Sequence, residues 1–201
     1  MATTGQKVVD DARVILQDAA GTRWADAEML VWINNGRRDM SLIKPSLWNT
    51  LAKRTVTLSA GAYQTISLAD AYSLVDVMNN ATAADAPTTA IIKVQREQLD
   101  TFAPSWRAET GAAVQNWFRD EAHHLSFWVY PAVSGGKIHV NVNVTPNSLG
   151  ALTETCVPLD VMATTLMHYV LYRAYAKDAE IAANAELSKL YLSLFTAALT
   201  A

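Results

Sequence analysis

The stretch Pro158-Leu-Asp-Val-Met-Ala-Thr-Thr-Leu-Met-His-Tyr-Val-Leu-Tyr-Arg-Ala-Tyr-Ala-Lys177, followed by Asp178-Ala-Glu-Ile-Ala-Ala-Asn184 and Ala185-Glu-Leu-Ser-Lys-Leu-Tyr-Leu-Ser-Leu-Phe-Thr-Ala-Ala198, decides how the rest of the chain is read. Leu159, Met162, Ala163, Leu166, Met167, Val170, Leu171 and Ala174 recur at the spacing of one helix face. Leu187, Leu190, Tyr191, Leu194, Phe195 and Ala198 repeat the pattern in a second helix. Neither segment contains Gly or Pro. Helices this apolar need other elements to cover them. The first carries a further stripe of His168, Tyr172 and Tyr175, which implies contact on more than one side.

Working outward, the N-terminal end supplies matching partners. Gln6 to Ala20 reads as a helix with Val8, Val9, Ala12, Ile15, Leu16 and Ala19 on one face, Asp10 and Asp11 near its positive end, and Gly21 as its stop. A second helix starts after Thr22, with Asp26 and Glu28 in its first turn and Leu30, Ile33, Arg37 and Met40 along one face. Pro45 disfavours helix at Lys44 and ends it there. Gly36 inside this helix costs up to ~1 kcal/mol relative to Ala, which points to a close contact at that position.

The middle changes period. Arg54–Leu58 and Tyr63–Leu68 alternate about a Gly-containing loop, the signal of a β-hairpin. Ser73–Met78 reads as a third strand, Asn79–Thr89 as a loop, Ala90–Val94 as a short strand and Gln95–Phe102 as a one- or two-turn helix. Val114–Arg119 and Leu125–Pro131 form a second hairpin. Lys137–Val144 is a half-buried strand with Ile138, Val140, Val142 and Val144 on one face and His139, Asn141 and Asn143 on the other. Runs of helix, strand and helix indicate α+β. The expected arrangement is a helical bundle from the N- and C-terminal helices with a central antiparallel β-rich insert: residues 1–52, 53–145 and 146–201.

With 201 residues the chain can bury a sizeable core without disulfides. Hydrophobic residues at 51% and charged ones at 17% exclude a disordered chain. A net charge of −3 excludes a strongly basic nucleic-acid binder. The single cysteine, Cys156, permits no intrachain disulfide and reads as inert packing. The opening Met-Ala-Thr-Thr-Gly-Gln-Lys lacks the apolar run of a signal peptide, and no 18-residue apolar stretch marks a membrane span.

Asp120-Glu121-Ala122-His123-His124 is the cluster most suggestive of chemistry, since imidazoles beside carboxylates bind zinc or shuttle protons. Adjacent histidines point to opposite sides of a strand, however, and the cluster falls at a hairpin turn, so a solvated turn is the expectation. A hydrolase or metal enzyme using His123 or His124 with Asp120 or Glu121 is the alternative. His139 is expected exposed or at an interface, and His168 buried and hydrogen-bonded. No nucleophile elbow, phosphate-binding Gly-rich loop or zinc-protease motif occurs. The six tryptophans, Trp24, Trp32, Trp48, Trp106, Trp117 and Trp128, divide between core and interface roles. Arg37, Arg38 and Lys44 form a small basic cluster.

Three segments in order resemble the tailed-bacteriophage head-to-tail adaptor family, the connector or tail tubular protein A-like proteins. They are Thr22-Arg-Trp-Ala-Asp-Ala-Glu-Met-Leu-Val-Trp-Ile-Asn-Asn-Gly-Arg-Arg-Asp-Met-Ser-Leu-Ile-Lys-Pro45, Phe127-Trp-Val-Tyr-Pro-Ala132 and Leu171-Tyr-Arg-Ala-Tyr-Ala-Lys-Asp-Ala-Glu180. Ala25 departs from the Ser or Thr expected as a helix cap. The resemblance implies a non-enzymatic virion protein of the neck, assembled in the host bacterial cytoplasm. It implies a ring of twelve copies between the portal protein and a tail nozzle or tail tube protein. Double-stranded DNA would pass through without sequence-specific binding, and a net-anionic ring would not grip its phosphates. No cofactor, metal or membrane is implied. Trp106, Trp117, Arg37, Arg38, Asn79 and Asn80 are the expected interface residues. A monomeric tail-completion or binding module is a further alternative.

Overall fold

Thr4 opens the first helix by accepting a hydrogen bond from the Lys7 amide on its hydroxyl. This helix, α1 (Gly5–Leu16), is followed by α2 (Asp26–Ile43), a 3-10 turn at Pro45–Leu47, β1 (Lys53–Thr57), β2 (Tyr63–Thr65), β3 (Ala71–Ala81), β4 (Pro87–Ala90) and β5 (Ile92–Lys93). Then come α3 (Arg96–Phe102), β6 (Asn116–Arg119), β7 (Ser126–Tyr130), β8 (Lys137–Val144), a 3-10 turn at Asp160–Met162, α4 (Ala163–Lys177) and α5 (Ala182–Thr200). The computed structural model describes residues 3–47 and 53–200, and Trp48 lies outside them. Among the described residues the protein is α+β, with five α-helices and two sheets. It divides into two units, Met1–Trp48 with Thr145–Ala201, and Asn49–Val144.

Among the described residues the helical unit buries a single continuous cluster. Val8, Val9 and Ala12 of α1, Met29, Trp32, Ile33 and Met40 of α2, Leu166, Val170, Leu171 and Ala174 of α4, and Phe195 and Leu199 of α5 are all buried in it. Helix α4 packs against α1, α2 and α5. At Gly36 a Cβ would stand 2.8 Å from Leu166 Cδ1 and 2.8 Å from Tyr169 Cδ1, so the absence of a side chain sets how closely α2 approaches α4.

Helix boundaries differ from the sequence expectation in instructive ways. α1 stops at Leu16 because Gln17 turns left-handed (φ 53°), and Gly21 (φ 64°) serves the following turn instead. α1 also begins earlier than expected, so Asp10 and Asp11 lie beyond its first turn. That turn is organised by Asp18, whose carboxylate accepts the amides of Thr22, Arg23 and Trp24 and the Thr22 hydroxyl. Burial by itself would raise the Asp18 pKa, but the Trp24, Arg23 and Thr22 donors outweigh it and hold the carboxylate below its ordinary 3.8. Ala25 makes no side-chain cap for α2, which ends at Lys44 before Pro45. On α5 the buried seam is Ser188, Phe195 and Leu199, while Leu190 and Leu194 of the expected stripe are exposed, as is Leu159 before α4.

In the second unit one sheet runs β1-β8-β3-β4, antiparallel throughout, and the other runs β2-β7-β6-β5 with β5 parallel to β6. The β6–β7 hairpin matches the sequence pattern. The β1–β2 hairpin does not form: β1 pairs with β8 and β2 with β7. The groups that would close such a hairpin are taken elsewhere: Leu58 N–H donates to the Gly136 carbonyl at 2.8 Å, the Leu58 carbonyl accepts from Gly135 N–H at 2.9 Å, and Tyr63 pairs with Trp128. The Gln64 side chain holds the intervening loop, accepting from the Ser59 amide at 2.8 Å and donating to the Ser59 and Gly61 carbonyls at 3.0 and 2.6 Å. The expected loop Asn79–Thr89 is mostly strand, and only Thr82–Ala86 turns, closed by Thr82 N–H to Ala86 O at 2.9 Å.

Two outcomes check this description. Gly36→Ala overpacks the α2–α4 contact by an amount that exceeds the helix-propensity gain of up to ~1 kcal/mol, so a net loss of about 1 kcal/mol or more is expected from denaturant midpoints. For Asp18 the folded pKa is depressed, so its contribution is present above pH 3.8 and is lost as pH falls through the lower folded value. Stability measured against pH in wild type and Asp18→Asn should therefore differ most above pH 4 and converge at lower pH.

Candidate functional site

The Asp120–His124 cluster lies in the turn between β6 and β7. Asp120 Oδ2 accepts from Tyr63 Oη at 2.8 Å, and Asp120 Oδ1 accepts from the Ala122 amide at 2.9 Å. The Tyr63 hydroxyl is the largest cause of its lowered pKa, followed by the Ala122 amide. His123 Nδ1 lies 3.2 Å from Asp120 Oδ2, with the ring 70% exposed. Glu121 and His124 face solvent. The carboxylate thus closes a turn rather than orienting a base toward a buried nucleophile. Among the described residues no group of three His, Cys, Asp or Glu is placed to hold a metal ion.

The remaining histidines depart from expectation. His139 is buried, not exposed, because β8 is an internal strand and Asp85 from the Thr82–Ala86 turn reaches over it. Its Nδ1 faces Asn79 Nδ2 at 3.0 Å, and the amide nitrogen can only donate, so Nε2–H donates to Asp85 Oδ1 at 2.9 Å. Asp85 also accepts from Thr55 Oγ1, and Lys137 Nζ donates to the Ala83 carbonyl at 3.0 Å. The Thr55 hydroxyl, then His139, lowers the Asp85 pKa. His168 is half-buried, and its Nδ1 has no hydrogen-bond partner among the described residues. Burial lowers its pKa. Cys156 is fully buried, and burial pushes its thiol up to about 11. A thiol held protonated at neutral pH is a poor nucleophile.

Of the six expected interface residues, four are buried within the protein. Trp106 sits in a small core with Leu99 and Phe118, its indole N–H donating to Asp100 Oδ1 at 2.8 Å. Trp117 is buried edge-on against Phe127. Asn80 lies in β3 and clamps Val114 in both directions, Nδ2 to Val114 O at 2.7 Å and Val114 N–H to Oδ1 at 3.0 Å. Arg37 is buried on α2 and donates to the Asn147 carbonyl at 2.7 Å; burial lowers its pKa against the opposing pull of Cys156 and Glu154. Asn79 is half-buried and Arg38 is exposed.

Sequence reasoning missed two features. Asn34 pairs with both backbone groups of Leu149, at 3.1 and 2.8 Å, and so fixes the segment leading toward α4. The Asn-Asn-Gly run was the available signal. The second is an open cleft of about 980 Å³ lined by Lys93, Arg96, Arg107, Arg119, Glu97 and Glu121. Arg96 and Arg107 both turn toward Asp100, and Arg107 also lies over the Trp106 ring at 4.3 Å. The cleft can accept a mixed-charge polar surface, but its cations already have partners, which distinguishes it from a built anion site.

A protein-family model described as SU10 adaptor protein matches residues 3–201. The chain belongs to the SU10 adaptor protein family. This is a phage head-to-tail adaptor family, structural and not enzymatic, whose members are virion components. No curated protein matches the chain. In this adaptor-family protein no helix of the described residues is long and apolar enough to cross a membrane. Asn34, Gly36 and Arg37, all in the quoted α2 segment, work within the helical unit: they hold the Asn147–Leu149 segment and allow α4 to come close.

Asn80→Ala leaves the Val114 amide and carbonyl without their partners. A loss on the order of 1–3 kcal/mol is expected. Urea denaturation should report it as a lower midpoint at unchanged slope.

Proposed function

We propose that this protein is a head-to-tail adaptor that forms a closed ring, of twelve copies, between the phage portal protein and the tail nozzle or tail tube. The ring extends the channel for double-stranded DNA. The observation that carries this reading is the family match over nearly the whole chain. The division of labour we infer is a helical bundle formed by residues 1–52 and 146–201, meeting portal and neighbouring copies, and a β-rich insert, 53–145, meeting the next tail component.

Several features support it. The Asp120–His124 cluster closes a solvated turn, and Cys156 is buried with its thiol protonated. The net charge of −3 suits a channel component that lets phosphates slide. Of the proposed interface residues, Arg38 and Asn79 reach the surface and can touch a partner directly. Trp106, Trp117, Arg37 and Asn80 act from beneath, by holding the surface in shape. Contacts in such a ring are head-to-tail and close by rotation.

Light scattering and electron microscopy of the purified protein, with and without its portal, test the reading. Rings of fixed copy number, alone or on portal, are expected. A protein that stays monomeric or dimeric in both conditions contradicts the ring and favours a tail-completion module.

A further inference from the structure

The helical unit leaves a large share of its apolar surface uncovered. Eleven of the fifteen exposed large hydrophobics among the described residues belong to it, and four to the other unit. Four of them stand on the outward rows of two helices. On α2 the outward row is Ala27, Val31, Asn35, Arg38 and Leu42, with Val31 54% and Leu42 60% exposed. On α5 it is Glu186, Leu190, Ser193, Leu194 and Ala197, with Leu190 51% and Leu194 40% exposed. From Leu190 to Thr200 the chain contains no charged residue, although this is an exposed part of the helix. Patches of this kind on a protein surface mark interaction sites.

The two stripes complement one another. Each carries one charge on its outward row, Arg38 on α2 and Glu186 on α5. Arg38 has no ion-pair partner among the described residues. Among the described residues Glu186 pairs only with Lys189 on its own helix, a pair 74% exposed on both sides, and such pairs are worth little. From Arg38 back to Ala27 is eleven residues, and from Glu186 on to Ala197 is also eleven, about 16 Å of helix in each case.

We propose that the α5 stripe of one copy docks antiparallel on the α2 stripe of the next, with Glu186 opposite Arg38 and Leu194 opposite Val31. Leu190 then lies over Asn35, and the small Ala197 faces the small Ala27. A parallel arrangement that keeps Glu186 opposite Arg38 sets Leu190 on Leu42 but runs off the end of α2 at Ile43, leaving Leu194 with no helix to meet. The occupant is a second copy of this chain because each protomer carries both halves, one cationic and one anionic, on different helices. A contact between two different patches propagates head-to-tail and closes as a ring. This inference rests on the ring reading and adds the residues that would make the contact between neighbours.

Cysteine cross-linking tests it. Cys156 is buried, so the natural chain serves as background. Arg38→Cys and Glu186→Cys are prepared separately and mixed under mild oxidation, in the conditions where wild type assembles. A disulfide-linked dimer is expected in the mixture and not in either variant alone, and the double variant should give a ladder of covalent multimers. Leu194→Asp should abolish both cross-link and assembly with an unchanged circular dichroism melt, since the side chain is exposed. Cross-linking no stronger in the mixture than in the separate variants overturns the proposal, as does Glu186→Cys dimerising alone. If those results come with wild-type rings that Leu194→Asp leaves intact, this contact is wrong and the ring reading stands. If wild type forms no assembly with or without portal, the ring reading itself fails and this contact with it.

Discussion

The close approach of α2 to α4 at Gly36 is the contact on which the helical unit depends. A helix formed from residues near the start of the chain meets one formed near its end, and only hydrogen occupies the point where Leu166 and Tyr169 come in. Around that point Ile33, Met40, Leu166 and Val170 lose contact with water together. Burial of this kind is the main favourable term in folding, and it repays the closure entropy of joining segments separated by more than a hundred residues. Asn34 and Arg37 strengthen the same junction from within one helix turn of Gly36, by taking the carbonyls of Leu149 and Asn147. The residues between these two ends are then free to form a second unit with its own cores.

That second unit is built on a different logic. Its strands exchange partners between two sheets, and amide side chains carry much of the exchange. Gln64 holds the loop between β1 and β2, and Asn80 ties β3 to Val114. His139 and Asp85 hold the Thr82–Ala86 turn over the first sheet. Gln64, Asn80 and His139 are buried and hydrogen-bonded, which is why polar residues are tolerated on an internal strand such as β8. In the helical unit specificity comes from apolar shape, and in the β unit from satisfied amides.

Much of this was legible in the sequence because periodicity reports which face is covered. The apolar rows of α2 and α4, the Val8, Val9 and Ala12 part of the α1 row, the stop at Pro45, the close contact at Gly36 and the β6–β7 hairpin all follow from local chemistry, whereas Ile15 of the expected α1 row is exposed and Ala19 lies past the end of that helix. Other features depend on partners distant in sequence. Whether β1 pairs with β2 or β8 is decided by a strand about eighty residues away. The burial of His139 depends on Asp85 and on neighbours to either side, neither of which an alternating pattern reveals. α5 misled for a further reason. An apolar row predicts covering by something, and Leu190 and Leu194 are left uncovered within one copy of the chain. Trp106 and Trp117 were legible as anchors, but sequence does not say whether an anchor faces inward or toward a partner; here both face inward.

A structural adaptor needs no concave reaction site, only surfaces held in fixed relation by well-packed units. The central claim is that α2 and α4, from opposite ends of the chain, form one cooperative unit. Native-state hydrogen exchange measures this directly, because amides that open together share one opening free energy and one denaturant dependence. The account predicts that the core amides of α2 and α4 exchange at a common level. If the amides of α2 instead exchanged through an opening of lower free energy that left α4 protected, the claim would be contradicted.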